Sequence, residues 1–369
     1  MRRSPCTRLH LRIWRYLDDV TWASFTGGGW RRPDNVAAMT ITDAPPVARP
    51  ARRRRVVWTV LLWLSLVPAA IWLLARTSGW QAGLWVQFLA FTPYVAAATL
   101  LPAIVALITR RWVTAAAGVL IAFGFGAAVV PRLVTDGDRG PSTGVELRVM
   151  TANVLFGGAD AFEVVRLVRE NRVDVLALQE FTEGSQAALK AAGLEAILPF
   201  QQLAPEPGAS GSGLYSRYDF AEQAAKRNDG GFQQAHAAVQ VPGAGTIYVE
   251  SVHPLAPSHP DTISGWSADL RDLVPAEGGL PKILLGDFNA TLDHKQFRDV
   301  IATGYRDAAD AVGKGWIATW GPYDSDPIPP VTIDHVLVDE RIGVKDVQVH
   351  DVKDSDHRAV IAWVTVPAA

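Results

Sequence analysis

Three long apolar runs in the first third of the chain restrict its folding more than any other feature. They cover residues 56–75, 82–109 and 112–130, and the first contains 20 residues without a charge. About 20 residues at ~1.5 Å per residue cross a ~30 Å hydrocarbon core. A single run of this kind could be a buried core helix, but three adjacent runs predict three transmembrane helices.

Basic residues flank these runs unevenly and predict their orientation. Residues 52–55 are four arginines before the first run, Arg110 and Arg111 join the second run to the third, and the first connection contains only Arg76. Since Lys and Arg are retained on the cytoplasmic side, the N-terminus is predicted to be cytoplasmic. Three crossings of the cell membrane then place everything after Pro131 outside the cytoplasm. A signal peptide is the competing interpretation of the first run, but two further runs follow it.

The charge balance divides the chain at the same place. Residues 1–144 contain 17 Lys and Arg against 6 Asp and Glu, and residues 145–369 contain 18 against 31. This asymmetry predicts a membrane portion followed by an acidic soluble domain. Met39 is, like Met1, a candidate start of translation. The predicted order is a basic, disordered cytoplasmic tail at 1–55, transmembrane helices within 56–131, a polar linker at 132–144 and one domain at 145–369.

The predicted domain alternates segments typical of strands and helices. Apolar residues at helical spacing predict a helix at 161–171, and further helices are predicted near 186–192, 268–274 and 295–303. The only cysteine is Cys6, so the domain has neither disulfides nor thiol chemistry. The pattern predicts an α/β domain with one core. Its predicted strands cover residues 145–154, 173–180, 245–254, 282–289, 332–340, 344–352 and 357–366.

Polar residues occur at the ends of these predicted strands, although an unpaired polar group is costly to bury. The strand in KILLGDFNATLDH, residues 282–294, ends in Asp287 and Asn289. Any one such residue could be a helix cap or a satisfied buried group. Because ligands bind just outside strand ends in open α/β sheets, the whole set favours a single site. The set comprises Asn153, Glu180, His253, Asp287, Asn289, Asp334, His335, Asp356 and His357.

Seven motifs follow one another along the domain: TANVL, LALQE, GSGLYSRYDF, SVHPLAP, LLGDFNAT, IDHVLVD and DSDHRAV. Each is weak alone, but the ordered set resembles the endonuclease/exonuclease/phosphatase superfamily, the group of DNase I, abasic-site endonucleases and sphingomyelinases. The resemblance implies a DNase I-like four-layer α/β sandwich, two β-sheets flanked by helices, here preceded by three transmembrane helices. Alternation of strands and helices does not distinguish this fold from a doubly wound sheet. The implied activity is metal-dependent hydrolysis of a phosphoric ester or diphosphate.

The resemblance also implies a metal site. Asn153 and Glu180 match residues that hold a divalent cation, and Asp356 is similar to a residue that can ligate it. Mg²⁺ (or Mn²⁺) is the implied cofactor, and oxygen ligands suit Mg²⁺ because it is a hard cation.

The remaining matched residues are implied to carry the reaction. Asp287 orients or deprotonates the attacking water, and Asn289 hydrogen-bonds the phosphate. His357, held by Asp334, stabilises negative charge on the phosphate, and His253 protonates the leaving oxygen. For three further residues a substrate contact and a structural role are both open: Arg217, Trp320 and His335.

The substrate is less constrained than the reaction. A domain with a charge balance of −13 disfavours nucleic acid, because duplex binding uses Lys and Arg to neutralise phosphates. Attachment to the outer face favours a membrane lipid phosphate or diphosphate. The layout resembles the VanJ-type teicoplanin-resistance membrane proteins, which implies hydrolysis of an isoprenyl diphosphate and a link to antibiotic resistance. An extracytoplasmic nuclease or phosphodiesterase and a non-catalytic binding module are the alternatives. No obligate protein partner is indicated.

Overall fold

A computed structural model describes residues 50–137, 143–321 and 328–369. Nearly all of the predicted tail and residues 138–142 of the predicted linker therefore lie outside the described residues. Two helical stretches are long and apolar enough to cross a membrane, Arg53–Ser78 and Trp112–Leu133. The apolar helices are α1 (Pro50–Ser78), α2 (Trp85–Leu89), α3 (Thr92–Ile108) and α4 (Trp112–Val129).

The second apolar run differs from its predicted form. It divides into α2 and the 17-residue α3, because the backbone leaves the helical conformation at Phe91 (φ −91°, ψ 14°). Pro93 then occupies the first turn of α3, where its missing N–H is not needed. At ~1.5 Å per residue, α3 is at the lower limit for a spanning helix. Two of the three predicted spans therefore correspond to helices that are long enough to cross a membrane. The third span stays a prediction.

The domain that follows contains two six-stranded mixed sheets. The first has the order β11-β12-β1-β2-β4-β3, and the second β5-β6-β7-β8-β10-β9. The strands are β1 (Gly144–Asn153), β2 (Val175–Gln179), β3 (Phe200–Ala204), β4 (Ser212–Ser216), β5 (Phe220–Arg227), β6 (Gln233–Val241), β7 (Gly245–Val252), β8 (Lys282–Asp287), β9 (Tyr305–Asp307), β10 (Asp334–Asp339), β11 (Gly343–Asp351) and β12 (Arg358–Pro367).

Helices cover the outer face of each sheet. Buried side chains of both sheets, such as Val149 and Ile283, form the central core. Two further cores lie between the first sheet and α5–α6, and between the second sheet and α7–α8. This gives four layers, as the family resemblance implies. The domain helices are α5 (Ala161–Glu170), α6 (Glu183–Ala191), α7 (Ile263–Arg271), α8 (Lys295–Ile301) and α9 (Ala308–Ala311).

One parallel strand pair in each sheet determines where the polar strand ends meet. β1 pairs in parallel with β2, and β7 with β8, and each pair is joined by a connection that contains a helix. β10 and β12 run antiparallel to β8 and β1, so their first residues lie beside the last residues of β8 and β1. The carboxyl ends of β1, β2, β7 and β8 and the amino ends of β10 and β12 therefore lie at one edge of the sandwich.

The apolar helices and the sandwich belong to one compact unit, Pro50–Ala369. The single turn Val130–Leu133 follows α4, and Arg132 within it is buried against the domain. Thr135 forms a bridge with Val312. The described part of the predicted linker, 132–137, thus makes contacts with the domain that its polar sequence does not predict.

Candidate active site

Asn153, Glu180 and Asp287 form a hydrogen-bonded group at the shared sheet edge. The Asn153 Nδ2 donates to Glu180 Oε1 and to Asp287 Oδ2, both at 3.1 Å. Asn153 ends β1, Glu180 directly follows β2 and Asp287 ends β8. The parallel register of β1 and β2 places Asn153 opposite Gln179 and so brings Asn153 close to Glu180. Three residues that lie far apart in sequence are therefore joined across both sheets.

Two of the site residues have backbone conformations that favour glycine. Glu180 has φ of 58° and Asn289 φ of 48°, a region that non-glycine residues adopt rarely and that is common at functional sites. Glu180 Oε2 accepts from the Phe156 N–H at 2.7 Å, and Asp287 Oδ1 accepts from the Asn289 N–H at 2.8 Å. These backbone donors fix both carboxylates in place.

His357 and Asp334 form a buried pair beside Asp287. The Nδ1 of His357 lies 2.9 Å from Asp334 Oδ2, and its Nε2 lies 3.6 Å from Asp287 Oδ2. Burial alone would lower the pKa of His357, but the charges of Asp334 and Asp287 outweigh it and raise the pKa to about 10. His357 therefore carries a positive charge at neutral pH.

His253 lies on the other side of Asp287, and its pKa is shifted in the opposite direction from that of His357. Its Nε2 is 3.7 Å from Asp287 Oδ2, and Phe232 packs edge-on against its ring. Burial lowers the pKa of His253, although the Asp287 carboxylate acts against this shift. The two histidines that face one carboxylate thus favour different protonation states, neutral for His253 and charged for His357.

Asp287 is nearly inaccessible and lies between these two rings. Burial raises its pKa, and the proximity of Asp334 contributes in the same direction. A carboxylate with a raised pKa accepts a proton more readily near neutral pH than an ordinary aspartate does. This environment suits a group that takes a proton from water.

The donor set at this edge fits a hard divalent cation. Among the described residues, no Lys or Arg forms an ion pair with Glu180, Asp287 or Asp334, although all three are buried. Asp287, Asp334 and His357 form a buried group whose oxygen and nitrogen atoms lie within 4.8 Å of one another, but a protonated His357 has no lone pair to offer a cation. The charged His357 pairs with Asp287 and Asp334, whereas Glu180 has no cationic partner among the described residues. A buried carboxylate without such a partner is costly, and carboxylate and amide oxygens are the ligands of Mg²⁺. The Asn153 oxygen accepts from the Leu155 N–H at 3.0 Å, so it would reach a cation at the position of the amide nitrogen only if the amide rotated and gave up this bond.

Asp356 and Trp320 also lie at the site. Asp356 Oδ1 is 3.8 Å from His357 Nε2, and Trp320 forms bridges with Val331 and His357. Asn289 directs its Nδ2 to the Pro254 carbonyl at 3.1 Å, next to His253. The predicted residues of the metal and catalytic sets are therefore all found at this edge of the sandwich.

Arg217 is not brought to the site, which corrects its predicted role as a substrate contact. It follows β4, and the antiparallel register pairs Ser216 with Val175, at the end of β2 away from Glu180. Its side chain binds Asp174 at 3.0 Å and the Val173 carbonyl. Arg217 therefore has a structural role: it joins the ends of β2 and β4 that lie away from the site.

His335 makes structural contacts, one of the two roles that the sequence leaves open for it. Its two ring nitrogens lie 2.6 Å from Asp307 Oδ2 and 2.9 Å from the Ala290 carbonyl. Phe297 packs against its ring.

Sequence reasoning missed several residues that support the catalytic groups. Ser355 Oγ donates to the Asn153 carbonyl and accepts from the His357 N–H, so it joins the last motif to the first. Thr319 Oγ accepts from the Asp334 N–H, and Asn228 Nδ2 donates to the His253 carbonyl. Short polar side chains of this kind are common in turns, so the sequence offered no distinguishing signal.

The segment after Asn289 contains a second group that the sequence did not reveal. Asp293, which is completely buried, accepts from Arg76 Nε at 2.6 Å and from both terminal nitrogens of Arg132 at 2.6 and 2.9 Å. Arg298 donates to the Asp293 carbonyl and to the Arg76 carbonyl. We call these four residues the Asp293 cluster. It joins the ends of two apolar helices to the segment that carries Asp287.

Other contacts extend this junction. His294 Nε2 donates to the Val86 carbonyl at 2.7 Å, while its Nδ1 accepts from the Thr291 N–H. Gln87 donates to the Ser258 carbonyl, Tyr94 to the Pro330 carbonyl and Trp316 to the Val129 carbonyl. The domain is therefore attached to the apolar helices at several points.

A two-sheet sandwich with buried carboxylates, an amide and two histidines at one edge defines a metal-dependent phosphohydrolase. The chain belongs to the endonuclease/exonuclease/phosphatase family, whose model matches residues 150–357. Members of this family are metal-dependent hydrolases that act as phosphoesterases or nucleases, and this protein is an enzyme of that class.

Solved structures share the fold of the domain. One is an endonuclease/exonuclease/phosphatase from Beutenbergia cavernae DSM 12333, with 20% identity, coverage of 60% of this chain and 72% of that chain, and a TM-score of 0.50. Another is D. rerio TDP2 complexed with single strand DNA product, with 16% identity, coverage of 60% and 99%, and a TM-score of 0.50. At these identities the likeness shows the fold. A search of the curated proteins finds no match.

Proposed function

We propose that the protein is a membrane-anchored, Mg²⁺-dependent phosphohydrolase that acts outside the cytoplasm on a lipid-linked phosphate or diphosphate, such as an isoprenyl diphosphate. The observation that carries this proposal is the Asp293 cluster. Arg76 at the end of α1 and Arg132 after α4 both bind Asp293, six residues beyond Asp287. A catalytic segment held at the ends of apolar helices would meet phosphates at a bilayer surface.

The exposure of apolar side chains supports membrane anchoring. Only 17% of the most apolar window of α1 and 28% of that of α4 is buried within the protein. Val113 and Phe123 are 77% and 74% exposed, and Leu101 on α3 is 69% exposed. An exposed apolar surface of this extent would be unfavourable in water, whereas in lipid it is the expected surface of a spanning helix.

The distribution of arginines supports the proposed orientation. Arg111 donates to the Arg55 carbonyl, so the start of α1 and the start of α4 lie together. Arg76 and Arg132 lie at the other ends of the same helices and contact the catalytic domain. The basic end with Arg53, Arg54 and Arg55 is thus the end away from the domain. The retention of basic residues on the cytoplasmic side favours an extracytoplasmic domain.

Side chains at the sheet edge have the chemistry that phosphoryl hydrolysis requires. Asn153, Glu180 and Asp356 would hold the cation, which when bound supplies positive charge against the phosphate oxygens. Asp287, with its raised pKa, takes the proton of the attacking water. His357, charged and held by Asp334, stabilises the negative charge that grows on the phosphate. Asn289 donates to a phosphate oxygen.

His253 is proposed to contact the phosphate rather than to protonate the leaving oxygen at neutral pH. Burial lowers its pKa, so the neutral imidazole has no proton to lose easily. Its ring N–H can still donate to a phosphate oxygen. The comparison of a p-nitrophenyl ester with an alkyl ester tests this role, because only the alkoxide needs a proton. Equal losses for His253→Ala on both substrates are expected, and a loss confined to the alkyl ester would restore the general-acid role.

A phosphate-release assay with the full-length protein in detergent and Mg²⁺ tests the proposed substrate class. Farnesyl diphosphate, a phospholipid, a nucleotide and DNA are compared at equal concentration. The highest kcat/KM is expected for the isoprenyl diphosphate. A preference for DNA or for the nucleotide would contradict the proposal and favour a nuclease or phosphodiesterase.

Reporter fusions test the proposed topology. Alkaline phosphatase fused at the C-terminus is expected to be active, because this reporter folds only outside the cytoplasm. An inactive fusion, together with an active cytoplasmic reporter at the same position, would reverse the orientation.

A further inference from the structure

A cavity of about 300 Å³ lies where the apolar helices meet the catalytic domain. One wall is formed by residues of α3 and of the turn before it: Ala90, Pro93, Tyr94 and Ala97. Their spacing of three and four residues places them on one face of the helix. The opposite wall includes Leu292, Trp316 and Val331 of the domain. The cavity is therefore bounded by an apolar helix on one side and by domain loops on the other.

The domain wall belongs to the same segments that carry the catalytic groups. Thr291 and Leu292 follow Asn289 closely, and Val331 and Thr332 come just before Asp334. Val331 also pairs with Trp320, which forms a bridge with His357. A molecule in this cavity would thus lie next to the segments that hold the reacting phosphate.

A second hollow of about 340 Å³ lies further along α3. It is lined by apolar residues of α3 and α4, among them Leu100, Ile104, Leu107 and Phe123. Pro93, Ala97, Leu100, Ile104 and Leu107 follow one another at alternating spacings of four and three residues, so they form one stripe on the helix. The stripe begins at the catalytic domain and runs toward the basic end of the helices.

We propose that this stripe binds the hydrocarbon chain of the substrate, with the carbons that follow the first isoprene unit in the cavity at Ala97 and along the stripe. This inference rests on the proposed lipid-linked substrate and names where its chain binds. The occupant has to be apolar along α3 and has to end in a phosphate at the sheet edge, and a single-chain lipid phosphate or diphosphate has this form. Arg132 and Asp293 also line this cavity and bind each other there.

Ala97→Phe tests the inference, because it fills the cavity with a ring. Ala98→Phe is the matched control: it makes the same change one residue further on the same helix, at an exposed position that does not line the cavity. Full-length wild type and both variants are assayed in detergent with farnesyl diphosphate and with dimethylallyl diphosphate. The two substrates share the diphosphate and differ in chain length.

For Ala97→Phe, KM for farnesyl diphosphate should rise about tenfold or more, the effect of losing the burial of about two methylenes. The kcat/KM for dimethylallyl diphosphate should stay within about twofold of wild type, which also shows that the variant folds. Ala98→Phe should resemble wild type on both substrates. An unchanged KM for farnesyl diphosphate, or equal losses on both substrates, would overturn this inference and leave the proposed function standing. Wild type that hydrolyses neither diphosphate would overturn the proposed function and the inference with it.

Discussion

Asp287 and Asp293 lie six residues apart, are both buried, and have opposite electrostatics. Burial raises the pKa of each. Around Asp287 the nearest ionisable groups are two histidines and Asp334, and its pKa remains raised. Around Asp293 the charges of Arg132 and Arg76 outweigh burial and lower its pKa. The first carboxylate is therefore suited to exchange a proton, and the second to stay permanently charged.

The difference shows that the neighbours of a buried aspartate, and not its burial, determine its role. Arginine cannot lose its proton near neutral pH, so Asp293 is fixed in a structural ion pair. Next to two histidines and Asp334, Asp287 keeps a raised pKa and can exchange a proton. The two residues also explain why one short segment serves two purposes, catalysis at its beginning and attachment to the apolar helices at its end.

The largest effect on the catalytic side is expected for Glu180→Gln. Removal of this charge should abolish turnover, because the cation loses its principal carboxylate. Phosphate release and thermal unfolding are measured together, and the unfolding temperature should not fall. Excess chelator should likewise abolish the activity of wild type. Full activity in chelator would show that the site works without a metal.

A double-mutant cycle should show that Asp287 and His357 act as a unit. Asp287→Asn and His357→Ala should each lower kcat by about 10²–10⁴-fold, the usual range for a proton-transfer group. The double variant should lose much less than the product of the two losses, because groups that act on one transition state are not additive. Multiplicative losses in kcat would separate the two residues into independent roles.

On the structural side, Asp293→Asn should reduce stability by about 3–5 kcal/mol, because it leaves buried arginines without their partner. Asp299→Asn is the control, since its pair with Lys295 is exposed and such pairs contribute about 0–1 kcal/mol. Denaturant unfolding in detergent measures the stability of both variants. A lowered pKa stabilises the fold above the ordinary value of about 3.9. The difference from wild type should therefore persist at mildly acidic pH and shrink only below about pH 4. Equal stability of both variants would remove the Asp293 cluster as an attachment.

The smallest effect is expected for Arg217→Ala. Its pair with Asp174 is partly exposed, so the stability should change by about 1 kcal/mol or less. The kcat/KM should remain within about twofold of wild type, because Arg217 lies at the far end of β2. A large loss of activity without a loss of stability would return Arg217 to the substrate site.

Much of the fold followed from local patterns. The strands predicted at 145–154, 282–289 and 357–366 correspond closely to β1, β8 and β12, because continuous apolar runs mark strands buried on both faces. β3 to β6 and β9 were missed. β5 and β6 are rich in Ala and Gln, and β9 has three residues, so neither composition nor length marked them as strands.

The sequence by itself determined the family, the catalytic residue types and the apolar character of the first third, since each depends on residue order or local composition. Tertiary structure alone decided that Arg217 lies away from the site and that His253 and His357 favour different charges. It also decided that Asp293, two residues beyond the LLGDFNAT motif, binds Arg76 at the end of α1 and Arg132 in the turn after α4. Ion pairs between residues more than 150 positions apart leave no local pattern, because their geometry exists only after the strands and helices have packed.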